Sequence, residues 1–481
     1  MTLKVTFYYS MDVESIKQKI YAGVDSGIVP ALMEYIKIPS LSPAYDPDWN
    51  SNGLMQQAAS ILINYLESLN IKNFTHEIVQ EEGQPDLFFG VVEATDPSMG
   101  TVLMYGHMDK QPHMEGWMEG TGPTQPTIID GKLYGRGGAD DGYAIPACGL
   151  IIKTMQELEI PHGRIVIVGE NEEESGSSNL MNYINQLKSK IGEPELIICL
   201  DSGAGNYEQL WLTSSLRGLI DAELTVKILS NGAHSGDASG VVASSFRIIR
   251  NLLDRIEESR TGEVLLPELH TEITPEIYNN AVKVSKALGN TVFSKIPFKE
   301  GARPLTSDTV QLVLNRTYKP TLSVIGQDGF PKVSVAGNVL RPYSTLKLSI
   351  RVPPGIDMEG ACKRLTETLT KDPPYQAQVE VKIGDTGEGW APKSLETWLL
   401  EALDSSSKTY FGKEMLQNGE GGSIPFMGML GNMFPNAQFV ITGVLGPESN
   451  AHAPNEMLHI QFMKNLLCCL VNVLAAHAKR H

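Results

Sequence analysis

The chain has 481 residues, too many for one average core, so two domains are the first expectation. Its 42% hydrophobic and 20% charged content is ordinary for a globular protein. A formal net charge of −17 argues against nucleic acid, whose phosphates need a basic partner, and equally against an anionic membrane surface.

The opening "MTLKVTFYYSMDVES" lacks the long apolar stretch and small-residue cleavage site of a secretory signal, and no run suggests the roughly 18 apolar residues of a membrane span. Five cysteines, Cys148, Cys199, Cys362, Cys468 and Cys469, are odd in number and mostly in apolar contexts. That usage suits a reduced, cytoplasmic protein.

In chain order, "LMQQAASILINYLESL" places apolar residues at a helical period, and "LFFGVVEA" and "TVLMY" read as strands. After a glycine-rich loop, "YAIPACGLIIKTMQEL" reads as a helix, then "GRIVIVG" as strand, "NLMNYINQLKSKI" as helix and "ELIICL" as strand. Such alternation predicts an α/β layer with a mostly parallel central sheet, whose ligands sit at the carboxyl ends of the strands. From "GLIDAELTVKIL" onward the strands alternate like sheets with one wet face, with helices at 241–256 and "DMEGACKRLTETL". This predicts a smaller α+β domain inserted into the first. The α/β signature resumes with helix "LETWLLEALDSSSKTYF", strand "AQFVITGV" and a last helix from about 457. The expected boundaries are 1–214 and 386–481 for the two parts of the first domain and 215–385 for the insert.

Polar residues gather beyond the strand ends. His107 and Asp109 follow "TVLMY", Asp140 and Asp141 follow the glycine-rich loop, and Glu170, Glu172, Glu173 and Glu174 follow "GRIVIVG". Asp201 follows "ELIICL", and "ESNAHAPNE" supplies His452. Taken singly, each has an ordinary explanation: a packed histidine, an N-cap aspartate, a solvated acidic face. Two imidazoles and at least three carboxylates converging on one cleft would repel and desolvate badly without a cation. Mixed histidine and carboxylate ligation without cysteine suits zinc, with manganese or cobalt as competitors. A carboxylate bound to metal is a poor base, so one of Glu173 and Glu174 ligates and the other is free to take a proton. Asp109 need not touch metal, because a hydrogen bond to the other nitrogen of His107 fixes that ring's tautomer.

The motifs "GHMD", "GRGGADD", "ENEEESGS", "CLDS", "GAHSG", "EGGSIP" and "NAHAPNE" occur in the order that resembles the co-catalytic zinc peptidases. That family includes carnosinase-type dipeptidases, carboxypeptidase G, aminoacylase and succinyl-diaminopimelate desuccinylase. The resemblance implies a zinc-peptidase catalytic domain with an inserted lid and dimerisation domain, and two divalent ions per subunit. His107, Asp140 and Asp201 would hold one ion, and Asp140, Glu174 and His452 the other. Glu173 would be the general base, and the Asp140–Asp141 peptide would be cis. His234 would reach across a homodimer to the scissile carbonyl, Arg351 would clamp a substrate carboxylate, and "GEGGSIP" (419–425), with Gly422 and Ser423, would line the cleft.

Related sequences often carry lysine where this chain has Gly142, and carnosinase-type members carry arginine where it has Gly419. The aspartate at 201 and an insert of roughly 170 residues resemble the dipeptidase branch. The expected activity is hydrolysis of a dipeptide or short peptide. The alternatives are an N-acyl-amino-acid deacylase or carboxypeptidase-type amidohydrolase, and a catalytically idle metal-binding dimer.

Overall fold

The computed structural model describes residues 12–422 and 425–480. Two compact units divide the chain. One comprises residues up to Thr213, Pro392–Gln417 and the stretch from Met429; the other is Ser214–Ala391 with Asn418–Gly428. The short segment 418–428, expected in the first domain, groups with the second unit.

The first unit is built on a six-stranded sheet of β1 (Phe74–Val79), β2 (Leu87–Val92), β3 (Thr101–His107), β4 (Arg164–Glu170), β5 (Pro194–Cys199) and β6 (Gln438–Ile441), in spatial order β1-β2-β4-β3-β5-β6. β4, β3, β5 and β6 run parallel, while β1 and β2 close one edge antiparallel. Strands β2 to β6 are buried almost throughout, which is why they read as continuous Val/Ile/Leu runs rather than alternating ones. The helix Ala144–Glu157 packs on β3 and against the helices Val13–Gly23, Leu54–Ser68 and Ile460–Ala478. The last of these is long and apolar enough to cross a membrane by length and composition, contrary to the sequence expectation. Most of its side chains are nevertheless buried in this core, beside the helix Thr397–Phe411.

The second unit carries an antiparallel four-stranded sheet in the order Thr321–Asp328, Tyr343–Val352, Gly218–Lys227, Gln378–Gly387. Ile220, Ala222, Leu224 and Val226 alternate with Leu348, Ile350 and Val352 toward one buried face. The helices Ser245–Leu253 and Met358–Thr370 cover that face and share its core.

Candidate metal centre

The four parallel strands deliver the site from their carboxyl ends. β3 runs through Gly106 to His107, two residues beyond the apolar run. A Cβ at Gly106 would lie 2.3 Å from Ala144 Cβ and 2.8 Å from Asp141 Oδ2, so only glycine lets the loop 137–143 approach the strand. Asp141 uses that approach to accept a hydrogen bond from the His107 amide at 3.2 Å. β4 ends at Glu170 and leads to the single turn Glu173–Ser175, and Asp201 lies two residues beyond β5. His452 sits in a loop where Glu448, Asn450, His452 and Asn455 all hold left-handed backbone, a costly conformation that aims its ring inward.

Asp140 stands at the centre. Its Oδ1 lies 3.2 Å from His107 Nε2 and its Oδ2 lies 3.1 Å from His452 Nε2. His452 Nε2 is also 3.2 Å from Glu174 Oε2. The ligand atoms of His107, Asp140 and Asp201 lie within 4.8 Å of one another, and so do those of Asp140, Glu174 and His452. The five residues expected to hold metal therefore converge in two groups that share one carboxylate. The Asp140–Asp141 peptide is cis.

Asp109 belongs to neither group. Its Oδ1 lies 3.3 Å from His107 Nδ1 and accepts from the Glu173 amide at 3.2 Å, while its Oδ2 accepts from the Glu174 amide at 3.0 Å. One carboxylate thus orients the imidazole and fixes the turn carrying both glutamates.

Burial raises the Asp201 carboxyl to about 6 and that of Glu174 to about 7, and holds Glu173 well above its usual range. Burial alone would neutralise His107, but hydrogen bonds to Asp109 and Asp140 outweigh it and hold the ring well above its ordinary value. Hydrogen bonds to Asp140 and Glu174 raise His452 in the same way. The clustered carboxylates thus favour positive charge on both rings. A divalent cation supplies it better, with neutral imidazoles as ligands. Glu174 Oε1 is buried with no hydrogen-bond partner, which fits an atom built to ligate. The donor set of nitrogen and oxygen without sulfur fits zinc, manganese or cobalt.

Several supporting residues escaped the sequence reading. Glu456 is fully buried, takes the Arg136 guanidinium at 2.7 Å and accepts from the amides of Gly137, Ala139 and Asp140. It shapes the loop that presents Asp140. Gln111 Nε2 donates to Glu174 Oε2 at 2.6 Å, and Tyr105 donates to Glu170, whose carboxyl burial raises to about 8. Arg136 and Glu456 lie inside "GRGGADD" and "NAHAPNE", so the motifs held the signal; Gln111 stands two residues after "GHMD".

The remaining expected residues lie in the second unit. His234 is 71% exposed, its Nδ1 accepting from the Gly236 amide at 3.1 Å and standing 3.8 Å from Asp237. Arg351 lies in the strand Tyr343–Val352, and Gly422 is exposed. Ser423 lies outside the described residues. Both glycine departures have a steric cause. A Cβ at Gly142 would lie 2.5 Å from the Tyr35 ring and 2.6 Å from the Gly137 carbonyl. One at Gly419 would lie 2.5 Å from Ser215 Oγ and 2.7 Å from Thr317 Cβ.

The pattern of Peptidase family M20/M25/M40 matches residues 103–476. The chain belongs to this family. It is a metal-dependent hydrolase of peptide bonds, and its ligand groups lie within the matched span. Among curated relatives, this M20 peptidase is 24% identical to the cysteinylglycine-S-conjugate dipeptidase of Corynebacterium striatum over 409 residues, 83% of this chain and 85% of the other. It is 25% identical to the human Beta-Ala-His dipeptidase, covering 76% of this chain and 72% of that one. The solved structure of the Saccharomyces cerevisiae di-peptidase Dug1p shares its fold, with a TM-score of 0.72 at 22% identity over 97% of this chain and 99% of that one.

Proposed function

We propose that the two ligand groups each hold a divalent ion, zinc in the first place with manganese or cobalt as alternatives, and that this peptidase cleaves dipeptides with free ends. The observation that carries the reading is Asp140, whose two oxygens face the two groups, beside a glutamate that belongs to neither. Ions bound there would polarise the scissile carbonyl and acidify a water molecule.

Glu173 is the base. Its side chain is spared by both groups, and burial raises its proton affinity, so it can accept a proton from the attacking water and pass it to the leaving amine. Asp109 keeps that glutamate in place through the amide of Glu173 and keeps His107 turned toward Asp140. His234, exposed on the second unit, would come from a partner subunit to meet the developing oxyanion. Arg351 would hold the substrate carboxylate, and Gly422 and Ser423 would serve substrate binding as the family resemblance implies.

A homodimer through the second unit accompanies this reading. Its support is the edge strand Thr321–Asp328, which exposes Val324 and Ile325, with Val333 and Val335 exposed nearby in sequence. All five cysteines are unpaired, which supports a reducing, cytoplasmic setting. Relatives named for cysteinylglycine conjugates and Beta-Ala-His favour dipeptides over acylated amino acids.

The test is hydrolysis by chelator-stripped protein, restored with zinc or manganese, of matched free and N-acetylated dipeptides. Metal-dependent cleavage of the free forms alone is the expected result. Cleavage of the acetylated forms would move the activity to deacylation. Glu173→Gln should keep its metal and lose about 10²- to 10⁴-fold in turnover; unchanged turnover would remove Glu173 from the reaction.

A further inference from the structure

Three arginines meet in the second unit with no acidic partner among the described residues. Arg217 is 8% exposed, just before the strand Gly218–Lys227. Its Nη1 donates to the Asn315 carbonyl at 3.3 Å and to Thr321 Oγ1 at 3.1 Å, and its Nε donates to the Gly421 carbonyl at 3.2 Å. Arg351 sits in register between Leu219 and Thr321 on the neighbouring strands, so its side chain shares the face of the threonine that Arg217 holds. Arg316 follows Asn315, and a Cβ built on Gly421 would lie 3.4 Å from both Arg316 Cγ and Arg217 Nη2. Arg316 Nε is buried and has no hydrogen-bond partner.

Guanidiniums repel one another, and burial takes away the water that would screen them. Burial first, then Arg351 and Arg316, bring Arg217 down to about 10. No ion pair involving these three arginines occurs among the described residues, in a chain with 56 acidic and 39 basic residues. Glu420 lies nearby and acts on Lys295, which Arg316 also faces, but it forms no ion pair with the three arginines, so an anion from outside is the partner they lack. The α-carboxylate of a dipeptide answers one guanidinium and leaves two.

We propose that Arg217, Arg316 and Arg351 form a single anion site for two carboxylates, so that the preferred substrates are dipeptides with an acidic residue at the carboxyl-terminal position. The inference rests on the dipeptidase reading and goes further by naming the substrate class. Arg351 takes the α-carboxylate, while Arg316 and the free Nη2 of Arg217 take the side-chain carboxylate. A planar fork suits each of these pairs, which are charge-assisted hydrogen bonds.

The test compares Ala-Glu with the isosteric Ala-Gln on the metal-restored enzyme. Ala-Glu should be favoured in kcat/KM by about tenfold or more, chiefly through KM, the scale of one charge-assisted hydrogen bond. The ratio should fall with added salt and collapse toward unity in Arg316→Gln. In Arg351→Lys the charge is kept and the fork lost, so both substrates should weaken together. Equal turnover of Ala-Glu and Ala-Gln by the wild-type enzyme would overturn the two-carboxylate site while leaving the dipeptidase reading intact. If neither is cleaved, the dipeptidase reading fails, and calorimetric binding of the same two dipeptides decides the cluster. Tighter binding of Ala-Glu that Arg316→Gln abolishes would support it, and equal binding would overturn it.

Discussion

Arg136 and Glu456 form a buried ion pair, Nη1 to Oε2 at 2.7 Å, linking the loop before Asp140 to the one after His452. The same carboxylate accepts from three amides of 137–140. Burial still holds it above the usual range despite the guanidinium and the amides, so its charge is maintained at some cost. Glu456→Gln keeps an acceptor for the amides but strands the Arg136 charge. It should destabilise the protein by about 3–5 kcal/mol in urea unfolding. Adding Arg136→Met should recover part of that loss, because two matched neutral groups cost less than one unpaired charge. If the double variant is as unstable as the sum of the singles, the pair is not coupled.

Metal content separates the two ligand groups. Asp201→Ala removes a ligand from one group and His452→Ala from the other, so each should lower bound metal from about two ions per chain to about one by elemental analysis. Asp140→Ala, which strips both, should approach zero. Equal loss in all three variants would mean that the groups fill only together. Retention of two ions in Asp140→Ala would refute the shared carboxylate.

The parallel strands were legible because each is buried on both faces, which leaves runs such as "IVIV" with polar residues immediately after. The convergence of His107, Asp140, Glu174, Asp201 and His452 follows from that, since parallel strands end on one side of a sheet. β1 carried no such signal. It is an edge strand whose middle residues are exposed, so "FTHEIV" shows neither a run nor a buried face. Glu456 lay in a motif, but its task could not be read there: only tertiary closure brings its carboxylate to amides more than 300 residues earlier. The glycine at 142 reads as a missing lysine until Tyr35 is seen to fill its space. A lysine does stand nearby, because Lys110 lies against Gly137.

Lys110 gives the fold a pH dependence that can be isolated. Its buried Nζ donates to the carbonyls of Tyr35 and Ile38 at 2.7 and 2.8 Å and sits 3.9 Å from the Tyr35 ring centre. Burial lowers its pKa from 10.5 to about 7. The unfolded chain keeps this proton up to about pH 10.5, whereas the folded chain releases it above about pH 7. The contribution to stability is therefore full above the unfolded value and disappears as pH falls to the folded one. Between them unfolding free energy should rise with pH by up to about 1.4 kcal/mol per unit from this group. Urea unfolding of wild type and Lys110→Met from pH 7.5 to 10 reads the difference, in which other titrations cancel. Parallel pH profiles would show that Lys110 stays charged in the fold.

The exposed His234 and the half-buried Glu173 belong to different units, and the proposed mechanism takes them from different subunits. Mixing is the measurement that can see this. Glu173→Gln keeps a working histidine, and His234→Ala keeps a working base, so each homodimer should be nearly inactive. In a mixed dimer one site receives Glu173 from one chain and His234 from the other, and its partner site receives neither. Random exchange of equal amounts makes half the dimers mixed, with one competent site in two, so activity should return to about a quarter of wild type. Recovery should follow the rate of subunit exchange and vanish when the variants are mixed after cross-linking. No recovery despite proven exchange would place both groups in one subunit or remove His234 from the reaction, because neither alternative lets one chain supply what the other lacks.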